Sequence, residues 1–229
     1  VVHATPNLPG WVEVPLAQML RSALGLPVRV NNDANLAGLG EARLGAGRGC
    51  DPLLYLTVST GVGGAILLGG DLVQGAVGLA GELGHVIVQA DGPTCNFGHP
   101  GCLEALSSGT AIARRAAEAV ADGHPTALAR LARDGTRITA RDVAEAARDG
   151  DEVAAGIWNR AARCLGLAIG SLVNVFDPQR VVLGGGLTAS WDLLRDPVLA
   201  GAAAVVMCQR HRPFGLLPAA LGDDAGLVG

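Results

Sequence analysis

The sequence predicts a mixed α/β protein, and three observations carry that prediction. Two apolar runs of strand length, residues 53–59 and 180–183, are each bounded by turn-forming residues. A third apolar stretch, 151–176, is far too long for a strand and has helical length. The chain also carries 34 glycines among 229 residues, many of them following those runs, where backbone must turn or approach a ligand closely.

Along the chain, Pro27-Val28-Arg29-Val30-Asn31-Asn32-Asp33 reads as a short strand ending in a polar turn. Residues 34–44 read as a helix, with Leu36, Leu39 and Ala42 near helical spacing. The strand at 53–59 is broken by Thr60-Gly61-Val62-Gly63-Gly64, resumes at 65–68, and turns back through Gly69-Gly70-Asp71. Residues 73–81 form a glycine-punctuated loop, and Val86-Ile87-Val88 another short strand. Three Ala/Arg-rich amphipathic segments follow at 108–122, 125–134 and 139–149, the last opened by a Thr139/Asp142 capping pattern. The helix at 151–176 ends at Asp177-Pro178, because proline cannot continue it. Arg180-Val181-Val182-Leu183 is then a buried strand running into Gly184-Gly185-Gly186. There is no internal repeat and no low-complexity linker.

Composition excludes several classes of function. With 49% hydrophobic and 17% charged residues the chain is globular rather than disordered, and no Gly-every-third repeat suggests collagen. The formal net charge is −4 and the basic residues are scattered, so no nucleic-acid footprint is expected. The purely apolar stretches fall far short of the ~20 residues that span a bilayer, and no signal peptide is visible. Five cysteines (50, 95, 102, 164, 208) make an odd count, which favours a reducing, cytoplasmic location over a disulfide framework.

Four constellations can carry chemistry. Thr57-Val58-Ser59-Thr60-Gly61-Val62-Gly63-Gly64 is a strand entering a Thr/Gly turn whose amides and hydroxyls suit an anion; taken alone it is an ordinary hairpin. Asn32-Asp33-Ala34-Asn35 places a carboxylate where it can take a proton from a hydroxyl, or can simply cap the next helix. Gly81-Glu82-Leu83-Gly84-His85 precedes Cys95-Asn96-Phe97-Gly98-His99-Pro100-Gly101-Cys102-Leu103-Glu104, offering His and Cys donors for zinc, or buried thiols and a capping His. Gly184-Gly185-Gly186 suits either a nucleotide or a tight strand-to-helix turn.

The order of these motifs resembles the ROK family of bacterial sugar kinases and sugar-responsive repressors. The resemblance rests on Asn7-Leu8-Pro9-Gly10-Trp11, the Asn-Asp-Ala-Asn stretch, the Thr57–Gly64 run, the Gly81–His85 run, the Cys95–Glu104 segment, the Phe176–Gly186 run and the closing residues 221–229. It implies an actin-like, ribonuclease H-like ATPase fold with two lobes around a cleft. Asp33 would be the catalytic base, accepting the proton of the attacking sugar hydroxyl. Asn32, Glu82, His85 and Glu104 would bind sugar hydroxyls. Thr60, Gly61, Gly63 and Gly64 would line the phosphate site, with Gly184, Gly185 and Gly186 near the nucleotide. ATP and Mg²⁺ are implied as cofactors, a hexose as substrate and a homo-oligomer as assembly.

Two departures from the family pattern bear on function. The family's zinc motif places a Cys where Phe97 stands, leaving His85, Cys95 and Cys102, with His99 as a replacement ligand or Phe97 packed into the space. The family's Asp-x-Gly-x-Thr hairpin has no counterpart in the 32 residues before Asp33. Residues 1–33 are therefore expected to be a remnant of the N-terminal lobe and 34–229 the C-terminal lobe, whose last residues return to the first. Such a fragment alone is expected to bind nucleotide poorly and to phosphorylate little. The expected function is ATP-dependent phosphorylation of a hexose at the 6-hydroxyl, glucokinase-like. The alternative is a sugar-sensing repressor whose DNA-binding part lies upstream.

Overall fold

The computed structural model describes residues 2–4, 10–208 and 213–229, so Asn7, Leu8 and Pro9 of the opening motif lie outside the described residues. The chain divides into two units, Val1–Asp33 and Ala34–Gly229. In the first, strand β1 (Val2–Ala4) pairs antiparallel with β2 (Val12–Val14). Helix α1 (Leu16–Leu24) follows and ends on Gly25 in the left-handed conformation, its N–H bonded to the Arg21 carbonyl. The expected strand at 27–33 does not form. Val28 and Val30 have β propensity, but no second strand pairs with the stretch among the described residues, and a strand is stabilised by its neighbour.

The second unit is built on a five-stranded sheet in the order β5-β4-β3-β6-β7. Strands β3 (Leu53–Val58), β4 (Val62–Leu68) and β5 (Asp71–Leu72) form an antiparallel meander. Strands β6 (Arg180–Gly184) and β7 (Gly215–Pro218) extend it in parallel from β3. The β4–β5 turn has two residues, Gly69 at φ 64° and Gly70 at φ 81°, the two positive values a tight hairpin of matching twist demands.

Strand β3 is an unbroken apolar run because both of its faces are covered. Leu54, Leu56 and Val58 pack on one side into the main core with helices α4 (Gly109–Ala121), α6 (Ala140–Arg148), α7 (Glu152–Phe176) and α8 (Trp191–Ala203). Leu53 and Tyr55 pack on the other against Ala37, Leu39 and Ala42 of α2 (Asp33–Leu44). Helix α7 is the spine of the unit, with twelve buried residues on it, including Trp158, Leu165 and Ile169. Its N-cap is Asp151 and its C-cap is Asp177, at φ 48° just before Pro178. The Thr139–Asp142 capping box opens α6 as the sequence predicts.

Three boundaries differ from expectation. Helix α5 covers only Ala129–Arg133, because Thr126 and Ala127 bond instead to the Asp151 carboxylate. At 86–88 only Ile87 forms a bridge, to Cys102. Gly63 and Gly64 are strand residues, paired with Thr57 and Leu56, since a turn of Ser59, Thr60 and Gly61 suffices.

Candidate active site

Strands β3 and β6 are parallel, so the turn after each emerges at the same end of the sheet, where α/β folds place ligands. The first turn is closed by Ser59 N–H donating to the Gly61 carbonyl. Its other carbonyls are committed to α4: Gly109 N–H donates to Ser59 O at 2.7 Å, and Thr110 Oγ1 to Thr60 O at 2.8 Å. Ser59 and Thr60 remain exposed. At the second turn Gly184 closes β6 and Gly185 sits at φ 83°. A Cβ on Gly185 would stand 2.5 Å from Val58 O, so this glycine joins the two turns. Gly186 has only Ser59 Oγ within reach of a Cβ, at 3.7 Å.

Between these turns, α4 and the start of α6 lies a pocket of about 550 Å³, within the usual range for small-molecule sites. Ser59, Thr60, Thr110 and Gly186 form its polar side, and Ile138, Trp158 and Leu187 its apolar side. The Trp158 indole N–H is buried without a hydrogen-bond partner. The second half of this wall was missed in the sequence. Arg137, Ile138 and Trp158 lie far from the glycine motifs, and Trp158 at helical spacing reads simply as core.

Of the residues expected to bind sugar, Glu104 reaches this turn. Glu104, at the start of α3 (Leu103–Ser107), accepts a hydrogen bond from Val62 N–H at 3.1 Å. A Cβ on Gly61 would stand 2.6 Å from its Oε2. The short 3₁₀ turn Leu83–His85 packs on β4, where a Cβ on Gly64 would meet Leu83 Cγ at 2.6 Å. Glu82 is exposed and His85 half-buried. Ala34 of α2 lies against β4, since a Cβ on Gly63 would come within 2.9 Å of it. Asp33 opens that helix and is exposed, as is Asn32, whose N–H bonds Asn31 Oδ1; both belong to the first unit.

The donor atoms of His85, Cys95 and Cys102 lie within 4.8 Å of one another. Burial opposes ionisation of Cys95, but hydrogen bonds from the Phe97 and His99 amides and the Cys102 thiol prevail and hold its pKa below the usual thiol value. Burial, then the hydrogen bond and charge of Cys95, push Cys102 up to about 11. His85 Nδ1 is buried without a hydrogen-bond partner, as befits a ligand nitrogen. These three residues fit zinc, which takes thiolate and imidazole donors. His99 is exposed and its ring stands outside the group, so it supplies no fourth donor in this arrangement. Phe97 lies against the His85 ring edge to face, with centroids 4.9 Å apart.

A meander extended by parallel strands, carrying a glycine turn and a nucleotide-sized pocket at their carboxyl ends, defines an actin-like ATPase fold of the ribonuclease H-like kind. The chain belongs to the ROK family, whose family model matches residues 1–229. It is 37% identical over 229 residues to a glucokinase of Thermotoga maritima, covering 100% of this chain and 72% of that protein. The crystal structure of a ROK family glucokinase from Streptomyces griseus in complex with glucose and AMPPNP matches with a TM-score of 0.86 and 38% identity, covering 99% of this chain and 74% of that one. A xylose repressor of Bacillus subtilis is 26% identical over 225 residues, 98% of this chain and 54% of the repressor.

Proposed function

We propose that the chain belongs to an ATP-dependent hexose kinase, glucokinase-like, acting on the sugar 6-hydroxyl, with 34–229 as its C-terminal lobe. One observation carries the proposal: the turn that lines the nucleotide-sized pocket with Ser59 and Thr60 is the turn whose Val62 amide is held by Glu104. Phosphate donor and sugar acceptor would meet at that turn, which is what in-line phosphoryl transfer needs. The relatives named glucokinase support the same activity.

In this mechanism Asp33 accepts the proton of the attacking 6-hydroxyl. Asn32, Glu82, His85 and Glu104 hold the remaining hydroxyls, which orients the nucleophile. Thr60, Gly61, Gly63 and Gly64 form the phosphate side, and Gly184, Gly185 and Gly186 the nucleotide side. ATP supplies the phosphoryl group, with Mg²⁺ to shield its charge. No acidic side chain lines the pocket, so Mg²⁺ would rest on phosphate and water rather than on pocket residues. Zinc would be held by His85, Cys95 and Cys102 and would fix the segment that carries Glu104. The test is Asp33→Asn in the intact gene product: turnover should be lost while calorimetric glucose binding survives. Retained turnover would remove Asp33 from its role.

A sugar-responsive repressor is the second reading, favoured by the match of the xylose repressor to 98% of this chain. A helix-turn-helix encoded upstream would support it, and an Asp-x-Gly-x-Thr segment would support the kinase. Among the described residues no helix is long and apolar enough to cross a membrane.

A further inference from the structure

Two arginines give the pocket beside Ser59 and Thr60 a charge that no part of the pocket balances. Arg137 precedes α6 and Arg141 is its second residue; both line the pocket and both are exposed. Among the described residues neither guanidinium has a hydrogen-bond or ion-pair partner, whereas Arg148 on the same helix forms a two-pronged pair with Asp192. No Asp or Glu lines the pocket. The nearest acid in sequence, Asp142, is engaged through Oδ2 with both the N–H and the hydroxyl of Thr139. A protein of net charge −4 therefore keeps an uncompensated cationic cleft. Arg141 is also in the first turn of a helix, where the macrodipole disfavours a cation. An anion in the cleft would relieve both the dipole and the two unpaired guanidiniums.

We propose that Arg137 and Arg141 are specificity-determining residues that select a nucleoside polyphosphate for this pocket by pairing with its phosphate chain, while Ile138, Trp158 and Leu187 take the base. The assignment rests on the kinase function proposed above and deepens it. The apolar wall alone binds a nucleoside; the arginines make the phosphates count.

The experiment is isothermal titration of the intact gene product with ADP and, separately, with adenosine, at low and high salt. The expected result is that ADP binds more tightly than adenosine, by a margin that shrinks as salt screens the charges. Arg137→Gln/Arg141→Gln together should weaken ADP binding by about tenfold or more and leave adenosine binding unchanged. Arg137→Lys/Arg141→Lys should keep most of the ADP preference, and all variants should melt with the parent because both sites are exposed. Unchanged ADP affinity in the Gln pair, or an equal loss for ADP and adenosine, overturns the proposal while leaving the kinase function standing. Failure of the intact parent protein to bind either compound overturns the nucleotide pocket itself.

Discussion

Val62 donates its backbone N–H to Glu104 Oε2 at 3.1 Å, tying the glycine turn to the acidic residue that follows the cysteine loop, 42 positions away. The contact explains why Gly61 has no side chain, since a Cβ there would sit 2.6 Å from the same oxygen. Gly61→Ala should displace Glu104 and cost about 1–3 kcal/mol, the usual penalty of overpacking. Glu104→Ala should cost a similar amount by leaving the Val62 amide without its acceptor. Thermal melts with and without glucose check both. Sugar-induced stabilisation should vanish in Glu104→Ala, and a fully retained glucose shift would remove Glu104 from the sugar site.

Gly185 and Gly186 should respond differently to the same substitution. Gly185→Ala meets Val58 O at 2.5 Å and adopts a strained φ of 83°, so it should lose stability by about 2 kcal/mol or more. Gly186→Ala meets only Ser59 Oγ at 3.7 Å, so it should melt with the parent. Its methyl group would instead enter the pocket and weaken nucleotide binding. Equal stability loss at the two positions would show that Gly186 is constrained by the fold.

Much of this fold was legible from the sequence, for local reasons. Strand β3, strand β6, helix α7 with its Asp177 stop, and the Thr139–Asp142 box are each specified by contiguous residues, and each forms as expected. Features that depend on distant partners were not legible. Val28 and Val30 have no strand beside them among the described residues, and Val86 and Val88 flank a single bridge. The pocket draws Thr60, Arg137, Trp158 and Gly186 from four separate segments. Only the glycine-rich two of those segments carried a sequence signal. The loss of the family's Cys was legible at Phe97, but not that this ring would lie against His85 while His99 stays outside the group.

Acid should weaken the junction between α5 and α7. Asp151 Oδ2 accepts from Thr126 Oγ1 and Ala127 N–H, and Oδ1 accepts from Val153 and Ala154 N–H. Burial opposes its ionisation, but these four hydrogen bonds outweigh it and hold the pKa below the usual carboxylate value. A depressed native pKa contributes stability that is complete above the unfolded value and is lost as pH falls through the native one. Asp151→Ala should cost about 1–2 kcal/mol near neutrality. It should also flatten the acid limb of a urea-unfolding series, and an unaltered limb would assign the acid sensitivity elsewhere.

Protein purified without chelator should carry about one zinc per chain, held by His85, Cys95 and Cys102. Phe97→Cys should supply the missing thiolate and raise zinc affinity by about tenfold or more. Competition with a chromophoric chelator measures both. Metal-free parent protein that also gains nothing from Phe97→Cys would show that the loop holds its shape without metal, by its own hydrogen bonds and the Phe97–His85 contact.

Sugar phosphorylation by the intact gene product is measured by coupled ADP release across a panel of hexoses. ADP release should depend on glucose or a close aldohexose, form the 6-phosphate, and disappear in Asp33→Asn. Tight sugar binding with no sugar-dependent ADP release from any hexose would contradict sugar phosphorylation and leave the sugar-sensing repressor as the function of this chain.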